Sequence, residues 1–470
     1  MAPSLTSAGN RGRLLLVVPL VAAILFLAYA WGRSASLLYV AAPVGAVAGV
    51  AILRQPRLGL LVLIIAALAA PFPIGTGTEV RLNPAALLTP TLFGIWLLGA
   101  AVQGRLHLPP SPVNLPLVLF LLAGLLSLGI GLVTWDPLVP RRPSFLLVQL
   151  AQWAIFAFSA LAFWLTPLLA RDIRWLQRMT VVFLVVGAGL ALLRITPPLY
   201  PFILGITTGT VDRAPFWLLL SALAGGQLLF NRWLRPPAQL ALAVLLLATI
   251  YYAFFLEREG ASTWVGVAVT GAVLFWLRFP RLRVPLAAMV LLLGVLGIAF
   301  SALWGFAGGD EEWQLSGVSR LILTERVLEV AMRNPVTGLG PAAYRVYASW
   351  EPLALNSSQL WLGSVVSSHN NYVDLFAHGG VLGLALFLWF AGAYGVLGLR
   401  VYKRNSQGFA GGYAAGMLAA GAASLVIMLL ADWMLPFVYN IGFHGFQASV
   451  LVWLFLGGVV MLDNMPKHGS

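Results

Sequence analysis

The chain is written mostly in long apolar runs separated by short polar punctuation. A run of about 17–25 apolar residues is the length that crosses a bilayer as a helix. Such runs start near Leu14, Leu37, Leu58, Pro84, Val113, Ser144, Met179, Phe216, Ala238, Ala261, Val284, Leu375, Phe409 and Ile441. The pattern predicts an all-α polytopic membrane protein of about 14 (12–14) transmembrane helices, the runs at Phe216 and Ala261 being the shortest. One stretch departs from the pattern, a polar loop from about Gly305 to Asp374. The organisation expected is eleven helices in 1–304, an extracytoplasmic loop at 305–374 that carries the chemistry, and three helices in 375–470. A loop of about 70 residues needs structure of its own, and long ordered loops are usually functional.

Charge adds orientation to this pattern. The 470 residues are 60% hydrophobic and only 9% charged, against about 25% charged in soluble proteins. The net charge of +13 therefore reports topology rather than nucleic-acid binding. With a cytoplasmic N-terminus and alternating sides, the inner segments collect Arg11, Arg13, Arg54, Arg57, Arg105, Arg171, Arg174, Arg178, Arg232, Arg235, Arg278, Arg281, Arg283, Arg400, Lys403, Arg404 and Lys467. Only Asp172 and Asp463 accompany them. Both termini then lie in the cytoplasm and the 305–374 loop lies outside. The start around Arg11 and Arg13 resembles a signal peptide but lacks a clear small-residue cleavage site, so it reads as the first span. The absence of cysteine excludes disulfides, thiolate metal sites and a cysteine nucleophile. No internal repeat is evident and the span interiors hold few ionisable groups, which argues against an ion-coupled transporter.

The outer loop holds the candidate chemistry. At roughly 100° per residue, Ser319–Asn334 is an amphipathic helix with Leu323, Val327, Leu328 and Ala331 on one face and Arg320 in their midst. Glu325, Arg326, Glu329 and Arg333 share the opposite face and read as solvated, with Glu329 and Arg333 paired. An arginine on an apolar face must pair with an acid or meet an anion. Asn334-Pro335 and the Gly338, Gly340, Pro341 cluster end the helix in a turn. His369 lies between Ser367-Ser368 and Asn370-Asn371, where Ser368 or Asn370 is the N-cap of the next span. The positive end of a helix dipole favours neutral imidazole, which can take a proton from a sugar hydroxyl. A histidine that merely caps or anchors the helix fits the same position. His378 falls on the opposite side of that helix, away from His369, and His444 falls in or at the edge of the last span.

Arg258 stands between Glu257 and Glu259, either as a second phosphate ligand or as part of a local salt-bridge cluster. Asp212-Arg213 closes an outer loop in the same manner, while Arg81, Arg141 and Arg142 read as interface anchors. Gly309-Asp310-Glu311-Glu312 is an acid run that reads as solvated loop rather than metal site, since no spaced oxygen ligands accompany it.

Together these residues resemble the signature region of the bacterial O-antigen ligase and polymerase family. The matching elements are Ser319-Arg320, the turn Pro335, Gly338 and Gly340, and His369-Asn370-Asn371-Tyr372 followed by Gly380 and Gly383. Arg258 falls on the arginine of an upstream motif, although Glu257 replaces a serine there. Val373 stands where the family has leucine, and Thr324 near a frequent tryptophan. His378 replaces an acid common before the first glycine. The resemblance covers roughly a quarter of the chain. It implies an inverting glycosyl transfer that needs neither metal nor cofactor, from an undecaprenyl-pyrophosphate-linked glycan donor to a glycan or lipid A-core acceptor. The place implied is the outer face of the bacterial inner membrane. It also implies His369 as general base, with Arg320 and Arg258 on the pyrophosphate. Arg213 and Asn370 would supply further contacts to the pyrophosphate or glycan. Alternatives are a lipid-linked-glycan flippase, an oligosaccharyltransferase with a protein acceptor, and a non-catalytic scaffold. Glycosyltransferases that use an acid in the first outer loop fit less well, because the segment Trp31–Ser36 contains none.

Overall fold

The computed structural model describes residues 38–70, 73–77, 80–201, 209–258, 260–285, 287–288, 292, 311–350, 354–355, 360–361 and 367–465. The expected run from Leu14, nearly all of the run from Val284, Trp31–Ser36, Glu259, Asp310 and Lys467 lie outside the described residues. Residues 1–59 and 60–470 form two compact units. The first contains helix α1 (Leu38–Arg54).

The second unit begins within α2 (Leu58–Ala69) and continues through a two-stranded hairpin, β1 (Ile74–Gly75) and β2 (Arg81–Leu82). Then come α3 (Pro84–Val102), α4 (Asn114–Val133), α5 (Phe145–Leu169), α6 (Ile173–Ile195) and α7 (Ala214–Phe230). Helix α8 (Pro236–Tyr251) runs into a π-helical turn, Tyr252–Leu256, and α9 spans Ala261–Arg278. Two helices follow, α10 (Glu311–Ala331) and α11 (Tyr344–Trp350), and a pair of short strands, β3 (Ala354–Leu355) and β4 (Leu360–Trp361). The chain closes with α12 (Asn371–Arg404), α13 (Gly408–Ile427) and α14 (Gly442–Asp463).

Among the described residues, nine helices are long and apolar enough to cross a membrane. Three further expected spans form shorter apolar helices, α1, α2 and α7, so the expected count of about 14 is not reached there. The two runs expected to be shortest form helices of 18 residues (α9) and 17 residues (α7), the short end of the range for a span. Helix α14 is buried on all sides and α7 nearly so, as befits central helices. Peripheral helices such as α3 and α8 leave Leu98 and Leu240 exposed, which suits contact with lipid. Helices α7 and α13 approach backbone to backbone. A Cβ on Gly416 would stand 2.5 Å from the carbonyl oxygen of Ala222, and Gly412 meets Gly226 in the same way. This is the small-residue packing that lets membrane helices touch closely.

Helix α12 is broken at Gly380, whose backbone (φ 64°, ψ −166°) is not helical. The Pro335–Leu339 turn occupies the break. Val381 N–H donates to the carbonyl of Pro335 (2.8 Å), Leu382 N–H to Val336 (3.1 Å), and Leu339 N–H to Ala377 (3.0 Å). A Cβ on Gly338 would lie 2.5 Å from the backbone of His378 and Gly379. The turn expected to end α10 therefore also satisfies backbone groups that the break would leave bare in an apolar setting.

Candidate active site

One end of the helix bundle gathers the starts of α3, α5, α7, α9, α12 and α14 with the helices α10 and α11. There the 428–441 segment, between α13 and α14, faces the start of α12. Asn371 stitches the two together. Its side-chain oxygen accepts from Met434 N–H (3.1 Å) and Leu435 N–H (3.3 Å), and its Nδ2 donates to the Leu435 carbonyl (2.8 Å). Gln152 holds the same segment from α5: its Nε2 donates to the Pro436 carbonyl (3.1 Å) and its Oε1 accepts from Val438 N–H (2.7 Å).

These contacts shape a polar cavity of about 560 Å³. Arg320 and Thr324 of α10, His369 and Asn370 before α12, Ser262 of α9, and Asp432, Trp433 and Asn440 of the 428–441 segment line it. His369 adopts a left-handed backbone (φ 48°), uncommon for a residue with a side chain. Ser368 clamps that turn. Its hydroxyl donates to Asp374 Oδ1 (2.7 Å) and accepts from Asn370 N–H (3.0 Å). Asp374 is buried and also accepts from the Tyr344 hydroxyl (2.8 Å), while its Oδ2 has no hydrogen-bond partner among the described residues. Burial, and then the neighbouring Asp374, raise Tyr344 well above an ordinary tyrosine and keep this phenol a donor.

Burial draws the pKa of His369 below the usual histidine range; Asp432 opposes that shift and Arg320 adds to it. Burial likewise raises Asp432 above the usual carboxylate range, countered by the Phe437 N–H, by His369 and by Asn440. Asn440 bridges the pair, with Nδ2 at 2.8 Å from Asp432 Oδ1 and 3.4 Å from His369 Nδ1. The carboxylate assigns which end of the amide is nitrogen, because only an N–H donates to it. An amide N–H at that distance fits the neutral tautomer with its lone pair at Nδ1 and its proton on Nε2.

Of the five site residues expected from sequence, Arg320, His369 and Asn370 meet in this cavity. Asn370 is the N-cap of α12. Its Oδ1 accepts from Tyr372 and Val373 N–H, and its Nδ2 donates to the Leu429 carbonyl, so its side chain caps the helix at the cavity edge. Arg213 lies behind the cavity wall, its guanidinium 5.4 Å from the Trp433 ring and its buried Nε without a hydrogen-bond partner among the described residues. Arg258 is exposed and does not line the cavity, whereas Gly260, Ala261 and Ser262 do. Its neighbour Glu257 is engaged by Tyr252 (3.0 Å) and Arg194 (3.5 Å), and Asp212 by Arg194 (2.7 Å).

The helical phase of α10 differs from expectation. Arg320 is exposed at the cavity and donates to the Leu430 carbonyl (3.1 Å). Arg326, expected on a solvated face, is buried beside Val327, Val330 and Ala331 and pairs with Glu329 at 2.7 Å. Arg333 reaches Asp136 (3.4 Å) rather than Glu329. The buried arc is thus rotated toward Arg326, leaving Leu321 exposed. As expected, His378 stands apart from the cavity; its Nδ1 accepts from Ala342 N–H (3.3 Å) and its ring packs on Tyr344. His444 lies in the first turn of α14.

Sequence reasoning missed Asp432 and Asn440. An acid beside a tryptophan inside a brief polar interruption was the available signal. Residues 241–388 match the family model described as O-antigen ligase. That match takes in Arg258, Arg320, His369 and Asn370 but ends before Asp432. It supports a membrane glycosyltransferase-like role in polysaccharide assembly. A comparison with curated proteins found no match.

Proposed function

We propose, from the match of residues 241–388 to the O-antigen ligase family model, that the chain transfers a glycan from a polyprenyl-pyrophosphate donor to a sugar hydroxyl, with inversion. The observation that carries this reading is the meeting of Arg320, His369 and the Asp432–Asn440 pair in one cavity. A depressed histidine pKa keeps the imidazole neutral near pH 7, as a general base requires. The acceptor hydroxyl takes the place of the long Asn440 contact and gives its proton to Nδ1. Its oxygen forms a bond to the anomeric carbon as the bond from that carbon to the pyrophosphate oxygen breaks. The imidazolium that results is stabilised by Asp432, and the charge on the departing pyrophosphate by Arg320. Arg258, two residues before Gly260 at the cavity rim, and Arg213 behind Trp433 add positive potential.

An apolar cavity of about 300 Å³ between α9, α12, α13 and α14 suits the lipid tail of the donor. Leu425, Met428 and Met434 line it, next in sequence to Leu429–Trp433 of the polar cavity. The reading places the chemistry at the outer face of a bacterial inner membrane, with both termini inside. The described basic side chains at the opposite end of the bundle, among them Arg171, Arg232, Arg235, Lys403 and Arg404, support that orientation.

The test is a reaction of purified protein with undecaprenyl-pyrophosphate-linked repeat units in EDTA, alone and with lipid A-core. A ladder from donor alone marks a polymerase, and product only with lipid A-core marks a ligase. Activity that persists in both H369A and R320A, or is abolished by EDTA, would overturn the proposed chemistry.

A further inference from the structure

A second cavity, of about 230 Å³, adjoins the first at the 438–441 segment. Asn440 and Ile441 line both, so this segment is a shared wall. Its basic side chains come from three distant parts of the chain: Arg81 on β2, Arg345 in α11, and His444 in the first turn of α14. No carboxylate is among the described residues that line it.

The cavity is built rather than incidental. Asn83 fastens β2 to its floor, since Nδ2 donates to the Phe443 carbonyl and Oδ1 accepts from Ala86 N–H at the start of α3. Arg345 is held against the wall, its guanidinium 4.4 Å from the Tyr439 ring centre and its Nη1 donating to the Tyr439 carbonyl (2.9 Å). The N-terminus of the 22-residue α14 opens into the same space with no side-chain cap. That end of a helix carries partial positive charge and favours an anion. Two guanidinium groups, an imidazole and a helix N-terminus around one small hollow match the oxygens of a phosphate.

We propose that this hollow binds a phosphate group carried by the acceptor glycan. The pyrophosphate of the donor belongs with Arg320 in the first cavity. A phosphate seated beside Tyr439 and Asn440 places the hydroxyls of its own sugar next to the residue that touches His369. The assignment to an acceptor rests on the glycan-transfer reading, whereas the binding of a sugar phosphate does not and is measured without turnover.

The experiment is phosphorus NMR of glucosamine 6-phosphate with the full chain in a phosphorus-free detergent. The wild type and R320Q should broaden the resonance alike, and R81Q and R345Q should bind about tenfold more weakly. Unphosphorylated glucosamine should not compete. Arg81 is exposed on a two-residue strand, so R81Q decides the matter alone if R345Q lowers the yield of folded protein. Broadening that survives both R81Q and R345Q, or that R320Q removes, overturns the proposal. Inorganic phosphate binding as tightly as the sugar phosphate does so too, because the hollow would then read the anion only. Displacement by phosphatidylglycerol would show a lipid-headgroup site and equally refute the acceptor assignment. If the sugar phosphate binds as expected while the transfer reaction fails, the glycosyl-transfer reading falls and this site remains.

Discussion

Replacing Asp432 by Asn removes the charge that steadies His369 without removing the bridging amide's neighbour. The contacts in series through Asn440 Nδ2, 2.8 Å to Asp432 and 3.4 Å to His369, place carboxylate and imidazole at most about 6 Å apart. At that limit an effective dielectric of about 20 gives about 2.8 kcal/mol, or roughly two pKa units. His369 keeps part of its surface exposed, and a dielectric of about 40 halves the figure to about 1.4 kcal/mol and one unit. Because Asp432 raises the pKa of His369, D432N lowers it further. The acid limb of the pH–rate profile, which lies below the ordinary histidine value of about 6.5, moves down by roughly one to two units. The plateau rate falls about 10- to 100-fold, because the imidazolium of the transition state loses its partner. Donor KM stays unchanged. The assay is a pH series of glycan transfer, with His369 titrated by NMR in histidine-labelled protein. An acid limb that stays put or moves up in D432N, with full plateau activity, would refute the reasoning.

Arg320 acts on His369 with the opposite sign, so R320Q should move the same limb upward and raise donor KM, while R258Q changes KM less. Loss of the base in H369A should cost about 10²–10⁴ in rate with thermal stability retained, measured by transfer and by melting. Y344F deletes one of the two hydrogen bonds to the buried Asp374 and should destabilise the protein by about 1–3 kcal/mol, visible as a lower Tm. G380A forces a Cβ into the backbone of Val336 at a positive φ, and should cost about 3 kcal/mol or more and sharply reduce folded yield.

The apolar runs were legible because each helix that faces lipid or the bundle core must satisfy its backbone internally, and length alone reveals it. Every such run within the described residues is helical. His369 and Arg320 were legible as charged or titratable groups displaced from apolar surroundings. The phase of α10 was not, because apolar side chains lie on two arcs of that helix. Leu321 and Leu328 stay exposed while Val327 and Val330 are buried, and the choice between arcs is made by what packs there. Arg326 follows the buried arc because Glu329 pairs with it. Asp432 looked like any acid at the end of a span. Its meaning comes from Asn440 and His369, which stand 71 residues apart in the chain, and periodicity carries no information at that range.

Gly338 and Gly340 read in the sequence as a turn, and the structure gives Gly338, together with Gly380 of the signature, a second purpose. A helix broken near a membrane leaves carbonyl and N–H groups that water does not reach. Gly338 and Gly380 let the Pro335–Leu339 turn lie directly against the break in α12 and pair those groups. The chain then leaves that turn into α11, where Tyr344 reaches Asp374, Asp374 holds Ser368, and Ser368 fixes the turn that bears His369. Placing the break one turn away would move Tyr344 off Asp374 and release the strained φ of His369. The glycine spacing and the histidine are therefore two ends of one mechanical connection, and a substitution at Gly338 or Gly380 should disturb the base even though neither residue lines its cavity.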